Sequence, residues 1–256
     1  MSWKKEVNEL IERKKLAKKL GGKEKVERQH SSQRYTVRER IDLFFDKDSF
    51  EEIGILAGKS TYNNTGSLKS FTPSNSIIGH GLVNNNSVAF YGDDFTVRGG
   101  AADASIWKKM IAAEQLANEY DIPLVRFIEG TGGGGSVKTL EMQGFTYIPF
   151  NPGWDKVVDN LSKIPVVSLA LGPVAGLGAA RLVSSHYSVM IKKTSQVFVA
   201  GPPLVEKIGE KTNKEDLGGS KIHGTNGVVD DVAESEIDAM KLAKKFLSYM
   251  PSSIYN

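Results

Sequence analysis

Apolar residues recur at helical spacing in the first fifty or so positions and gather into short unbroken runs from about position 75 onward. Val7, Leu10, Ile11 and Leu16 sit among charges over residues 3–20, and Leu-Gly-Gly at 20–22 supplies a stop, which predicts an amphipathic arm, residues 1–22, ahead of a domain spanning 23–256. A second amphipathic helix is predicted in "TVRERIDLFFDKDSFEEIG", with Ile41, Leu43, Phe44 and Phe45 for burial. "NSIIGHGLVNNNSVAFYGDDF" reads as two strands around an Asn turn that tolerates left-handed backbone. The stretch between them, Gly58 to Pro73, is polar and rich in Gly, Ser and Asn, so it is expected to be a mobile surface loop.

Beyond position 100 the pattern alternates. Helix "DASIWKKMIAAEQLANEYD", strand "PLVRFIEG", a glycine loop, helix "WDKVVDNLSK", strand "PVVSLALG", helix start "PVAGLGAARLVSSH" and strands "YSVMIKK" and "QVFVAG" follow one another. Strands separated by helices of this length pair in parallel through crossovers, and a continuous apolar run such as Val166 to Leu171 implies burial on both faces. The fold class is therefore α/β, a sheet between helical layers.

Composition narrows the chemistry more than the fold. At 256 residues, 40% hydrophobic and 25% charged, the chain has the makings of one large core. It has no cysteine, which removes thiol catalysis, disulfides and zinc–thiolate sites and suits a reducing compartment, cytoplasm or organelle matrix. No apolar run reaches the roughly 20 residues that cross a bilayer, and the N-terminus lacks the apolar stretch of a secretory signal. The net charge is only +3, but lysines and arginines crowd the first 28 positions. Such an arm is either a solvated helix face or a contact for phosphates, and charge alone does not choose the partner.

The candidate chemistry lies in glycines. "EGTGGGGSVKTLEMQGF", residues 129–145, sets four consecutive glycines after an apolar strand, where backbone N–H groups can meet negative charge at low steric cost. A P-loop needs glycine directly before Lys138, where Val137 stands. A dinucleotide fingerprint is met by almost any glycine run, and this one does not follow a first N-terminal strand. The remaining mechanism is an oxyanion hole made by amides of Gly132, Gly133 or Gly134. "LALGPVAGLGAAR" repeats the strand-to-helix setting, with Ala175 and Gly176 small enough for close approach of a thioester, although helix–sheet packing is the simpler account of its spacing. Arg98, Gly99 and Gly100 begin a loop before the "DASIWKK" helix and read equally as a wall of a ligand site or as a turn. The four histidines lie in four segments with no ligand-like spacing, so no metal site is expected, and Asp93-Asp94 and Asp230-Asp231 are expected in turns or caps.

Six stretches in order, among them "RYTVRERIDLFFDKDSFEEIG", "IIGHGLVNNNSVAFYGDDFTVRGGAADASIWKKM", "GTGGGGS", "IPVVSLALGPVAGLGAARL" and "SQVFVAGPPLV", resemble the N-terminal half of the carboxyltransferase (beta) subunit of biotin-dependent acyl-CoA carboxylases. The resemblance runs from residue 21 to the end and implies the crotonase-like fold, a ββα superhelix. It also implies an acyl-CoA substrate and carboxybiotin carried on a separate domain or subunit. The implied partners are a C-terminal carboxyltransferase half, biotin carboxyl carrier and biotin carboxylase components and further copies of the chain, with no nucleic acid and no membrane. The implied reaction moves CO2 from N-carboxybiotin to the α-carbon of the acyl-CoA through an enolate held by backbone amides. Gly132 and Gly133 match the family's oxyanion loop; Gly134, Ala175 and Gly176 are added candidates, and Lys14, Lys18, Arg28 and Arg98–Gly100 are candidates for the CoA moiety. The family commonly reads Ser-Gly-Gly-Ala-Arg where this chain has Thr131-Gly132-Gly133-Gly134-Gly135, so the arginine is missing and acyl preference does not carry over. The chain also ends where the family's first half ends, which predicts an isolated half. Three other readings share these features: a CoA-ester decarboxylase subunit, a hydratase or isomerase of the same fold, and a non-catalytic CoA-binding or assembly module.

Overall fold

The computed structural model describes residues 2–101, 106–130, 144, 153–253 and 255. Its centre is an eight-stranded mixed sheet in the order β1 (Glu51–Ile53), β4 (Ser76–Val83), β5 (Asn86–Asp93), β6 (Leu124–Gly130), β7 (Val166–Ala175), β8 (Tyr187–Ile191) and β10 (Asp231–Ala233), with β9 (Gln196–Phe198) pairing the far end of β7. β5 to β8 and β10 run in parallel, while β1, β4 and β5 are antiparallel. The β4–β5 turn needs two left-handed residues, and Asn84 (φ 51°) and Asn85 (φ 63°) supply them while Asp46 accepts both their N–H groups.

Alternation along β6 sorts the core into two layers. Val125 and Phe127 join Val167, Leu169, Leu171 and Phe90 beneath α3 (Val37–Phe44) and the C-terminal helix α7 (Glu236–Leu247). Leu124 and Ile128 face the opposite layer of α4 (Trp107–Tyr120), α5 (Trp154–Lys163) and α6 (Leu177–Val183). Phe44, Phe90 and Phe127 meet edge to face at 5.1–5.2 Å in the first layer. α3 starts with a full capping box, Thr36 accepting from the Glu39 N–H and Glu39 from the Thr36 N–H.

Three sequence expectations change. Leu43 is 45% exposed rather than buried, because the inward face of α3 is taken by Val37, Arg40, Ile41 and Phe44. Gly58 to Pro73 is a hairpin, β2 (Gly58–Tyr62) with β3 (Leu68–Pro73), not a loop. Its polar residues form the turn: the Asn63 side chain accepts from the N–H groups of Thr65 and Ser67. The arm over 1–22 holds α1 (Lys4–Ala17), and a helix that the sequence did not predict, α2 (Lys23–Ser31), follows it at Gly22 (φ 93°), too polar to show a helical period. The arm also docks, through buried Ala17, a Tyr62–Glu9 hydrogen bond of 3.0 Å and the Gly21 N–H on the Thr96 hydroxyl at 2.9 Å.

Candidate functional site

β5, β6 and β7 all end on one edge of the sheet, and what they carry there is backbone without side chains and charge without solvent. Gly130 closes β6 at φ 129°, a conformation open to little but glycine. Against it stands Gly100 at φ 67°, so close that a Cβ built on Gly130 would lie 2.8 Å from the Gly100 Cα, and one on Gly100 2.6 Å from the Glu129 carbonyl oxygen. Arg98 (φ 54°) and Gly99 (φ 62°) turn left-handed to bring Gly100 there. Arg98–Gly100 is thus a turn packed against the end of β6.

Next to this junction Asp93, the last residue of β5, accepts the Glu129 N–H at 3.0 Å and the Tyr91 hydroxyl at 2.5 Å. Burial pushes its carboxyl up to about 6, against the pull of Tyr91, the Glu129 amide and the nearby Arg181 guanidinium. Glu129 itself is fully buried. Its oxygens accept from Gln29 Nε2 at 3.0 and 3.1 Å, from Arg40 Nη1 at 2.6 Å and from Arg34 Nη1. Arg40 also donates to both oxygens of Glu236, at 2.6 and 2.7 Å, and to the Leu171 carbonyl at 3.1 Å. Burial opposes the charge on Arg40, yet Glu129 and Glu236 hold its pKa above the ordinary value.

The predicted residues fall into separate groups. Gly132, Gly133 and Gly134 lie outside the described residues, one step beyond Gly130 and Thr131. Ala175 ends β7 opposite Phe198, and Gly176 turns into α6 at φ 60° and ψ −124°. The Gly176 N–H is already donated to the Phe198 carbonyl at 3.2 Å, so this corner offers no free Gly176 amide. Lys14 and Lys18 line a groove with Arg38 and Lys47, but Asp42, Asp46, Asp48 and Glu52 line it too, so four cations face four anions. One end of that groove, at Asp46, meets the β4–β5 turn, away from the strand ends that hold Gly130. Arg28 is exposed on α2, one residue before Gln29, which reaches Glu129. The histidines have structural partners: His186 accepts from the Val166 N–H and contacts the Leu161 carbonyl, His223 contacts the Val197 carbonyl, and His30 and His80 sit by Glu39 and Glu51. Asp94 caps its own turn through Thr96 as expected, whereas Asp93 ties two strands.

Sequence reasoning passed over Glu129 and Arg40. The available signal was a carboxylate at the last inward position of an apolar strand, immediately before glycines, with an arginine on the face of α3 that otherwise reads apolar.

Residues 28–256 match the family described as "Carboxyl transferase domain". The chain is 32% identical over 245 residues to the methylmalonyl-CoA decarboxylase subunit alpha of Veillonella parvula, covering 93% of this chain and 47% of that protein. It is 29% identical over 252 residues to the mitochondrial propionyl-CoA carboxylase beta chain of Homo sapiens, covering 96% and 46%. Among solved structures, transcarboxylase 12S with methylmalonyl-coenzyme A and methylmalonic acid bound, described as a hexamer assembly, superposes with a TM-score of 0.80 at 26% identity over all of this chain and 49% of that one. This chain spans about half the length of the curated relatives it matches. The sheet and its helical layers have the crotonase-like fold of carboxyltransferase domains. Among the described residues no helix is long and apolar enough to cross a membrane.

Proposed function

Because the chain belongs to the carboxyl transferase domain family, we propose that it is the acyl-CoA-binding half of a biotin-dependent carboxyltransferase. The observation that carries the reading is the Gly100–Gly130 junction: two backbones without side chains pack against each other where the parallel strands end, directly before the glycine run. Ligands of parallel α/β sheets bind at this edge, outside the carboxyl ends of the strands. A thioester bound at this edge needs N–H donors for its oxygen rather than charged side chains. In this reading the amides of Gly132, Gly133 and Gly134 hold the thioester oxygen as its α-proton leaves and charge develops. Ala175 keeps the opposite wall low, Arg98–Gly100 line the entrance, and Arg28 is better placed than Lys14 or Lys18 to meet CoA phosphates. Carboxybiotin bound at this edge would supply the carboxyl group, and a C-terminal half, in this or another chain, would complete the site. Among the described residues none forms a carboxylate pair open to a ligand at this edge: Glu129 is closed by its donors and Asp93 by Tyr91 and the Glu129 amide, which argues against a hydratase. The decarboxylase relative keeps a second direction in play, transfer from acyl-CoA to biotin, with the same residues in the same roles.

The test combines the chain with a separately produced C-terminal half, N-carboxybiotin and a panel of acyl-CoAs, following label into or out of the acyl group. Transfer is expected with at least one acyl-CoA, and Gly132→Val or Gly133→Val is expected to lower it about a hundredfold or more while free CoA still binds. Binding of CoA without transfer to or from any acyl-CoA would leave a binding module, and absence of CoA binding would overturn the reading altogether.

A further inference from the structure

The glycines account for what the strand ends admit, but not for the charge buried beside them. An ionised carboxylate deep in a central strand is costly unless its oxygens are fully met. Glu129 is met from three sides: Gln29 on α2, Arg34 on the following link and Arg40 on α3. Its own N–H is held at the same time by Asp93 on β5. Residue 129 is therefore fixed through both main chain and side chain, and the next residue is Gly130, whose φ of 129° sets the direction in which the chain leaves the sheet. β7 makes space for the clamp with Gly172, where a Cβ would lie 2.4 Å from Glu129 Oε1. A glutamine at 129 would keep one acceptor and turn an NH2 toward a guanidinium, so the amide cannot satisfy three donors.

We infer that Glu129 is a positioning residue: the grip of Arg40, Arg34 and Gln29 on its carboxylate fixes the Gly130–Gly100 backbone junction and thereby the thioester end of the site. The functional part rests on the acyl-CoA reading above; the structural part does not. A residue that served stability alone would, when replaced, loosen the sheet evenly and leave turnover per folded molecule unchanged.

Hydrogen exchange on the full chain separates these. Glu129→Gln is expected to speed exchange of the amides of residues 129 and 100 about tenfold or more while the Leu124 amide, bonded to the Pro165 carbonyl at the other end of β6, changes little. Glu114→Gln, which alters a buried cluster on the opposite face, is expected to spare residues 129 and 100. With the C-terminal half present, Glu129→Gln is expected to lower kcat about tenfold while the Kd for free CoA stays within about twofold. Even acceleration along β6, or a kcat unchanged from wild type, overturns the inference. If Glu129→Gln does not fold, Arg34→Lys and Gln29→Ala take its place, and failure of both to speed residues 129 and 100 selectively overturns it equally. The exchange readout needs no acyl-CoA, so a wild-type chain that binds no CoA refutes the proposed function while the clamp is still judged.

Discussion

On one face of β6, Arg126 reaches out to Glu114 on α4 through two bonds of 2.9 Å; on the other, Glu129 receives Arg40, Arg34 and Gln29. Both clusters put charge into a strand that is buried at all seven positions, yet they join different things. The Glu114 cluster bolts helices to the middle of the sheet: Arg181 of α6 donates to Glu114 at 2.8 Å, Asn160 of α5 at 3.0 Å, and Arg126 also caps the carbonyls of Arg181 and Ser184 where α6 ends. The Glu129 cluster lies at the strand end, gathers the N-terminal segment and α7, and has one partner, Arg34, whose side chain keeps 11% of its surface exposed beside a groove of about 620 Å³. The first cluster ties three helices to the middle of the strand, whereas the second holds the residue next to the Gly130–Gly100 junction.

The comparison breaks first on truncation. Glu114→Ala leaves Arg126, fully buried, with carbonyls alone and Arg181 with little beyond the Tyr91 ring 4.5 Å away, so a loss of about 3–5 kcal/mol is expected in urea unfolding. Glu129→Ala leaves Arg40 paired with Glu236 by two bonds, Gln29 bonded to the Tyr35 carbonyl and Arg34 near solvent, so about 2–3 kcal/mol is expected. The reverse order would show that the strand-end cluster, not the mid-strand one, holds the fold together.

Acid separates the two sides by sign. Burial alone would raise the Glu114 carboxyl, but the Arg126 and Arg181 guanidiniums hold it at about 2, below its ordinary 4.5. Its contribution, of order 3 kcal/mol, is thus present above pH 4.5 and lost as pH falls toward 2. Asp93, which joins the clusters, is raised from 3.8 to about 6, so the folded chain holds an extra proton in that window and stability declines as pH climbs through it, by up to about 3 kcal/mol. Asp93→Asn keeps an acceptor for the Glu129 amide and removes the proton. The wild-type minus variant difference in unfolding free energy is expected to fall between pH 4 and pH 6 and stay level from pH 7 upward. A flat difference would mean that Asp93 is charged throughout.

Alternation and turn residues made the sheet legible in the sequence. Unbroken apolar runs marked β6 and β7, Asn84-Asn85 marked the hairpin, and glycines after strands marked the edge where β6 and β7 end. The β2–β3 hairpin was hidden because its strands are polar on both sides, exposed except for Phe71 and a few half-buried positions, so no period separates them from a loop. α2 was hidden for the same reason. The clusters were hidden because a buried carboxylate differs from a solvated one only through partners far along the chain: Glu129 and Arg40 stand 89 residues apart, Arg40 and Glu236 196. Local pattern finds faces and turns, whereas ion networks are properties of the packed layers.

The smallest expected effect tests whether the clusters are independent. In Gly172→Ala the new Cβ would stand 2.4 Å from Glu129 Oε1 and 2.7 Å from Arg34 Nη1. Glu129 Oε1 must give way against the hold of Arg40 and Gln29, and Arg34 must swing toward the groove with it, at the loss of its ion pair and its place over the Phe95 ring, 4.9 Å away. A cost of about 1–2 kcal/mol is expected. If the strain is relieved through Arg34, the cost shrinks in an Arg34→Met background, where the guanidinium is already gone. With Glu114→Gln it should instead add in full, because among the described residues the two clusters share no residue and are linked through Tyr91 and Asp93. Additivity with Arg34→Met, or coupling to Glu114→Gln, would mean that the faces respond as one unit and that the distinction between a packing cluster and a site cluster does not hold.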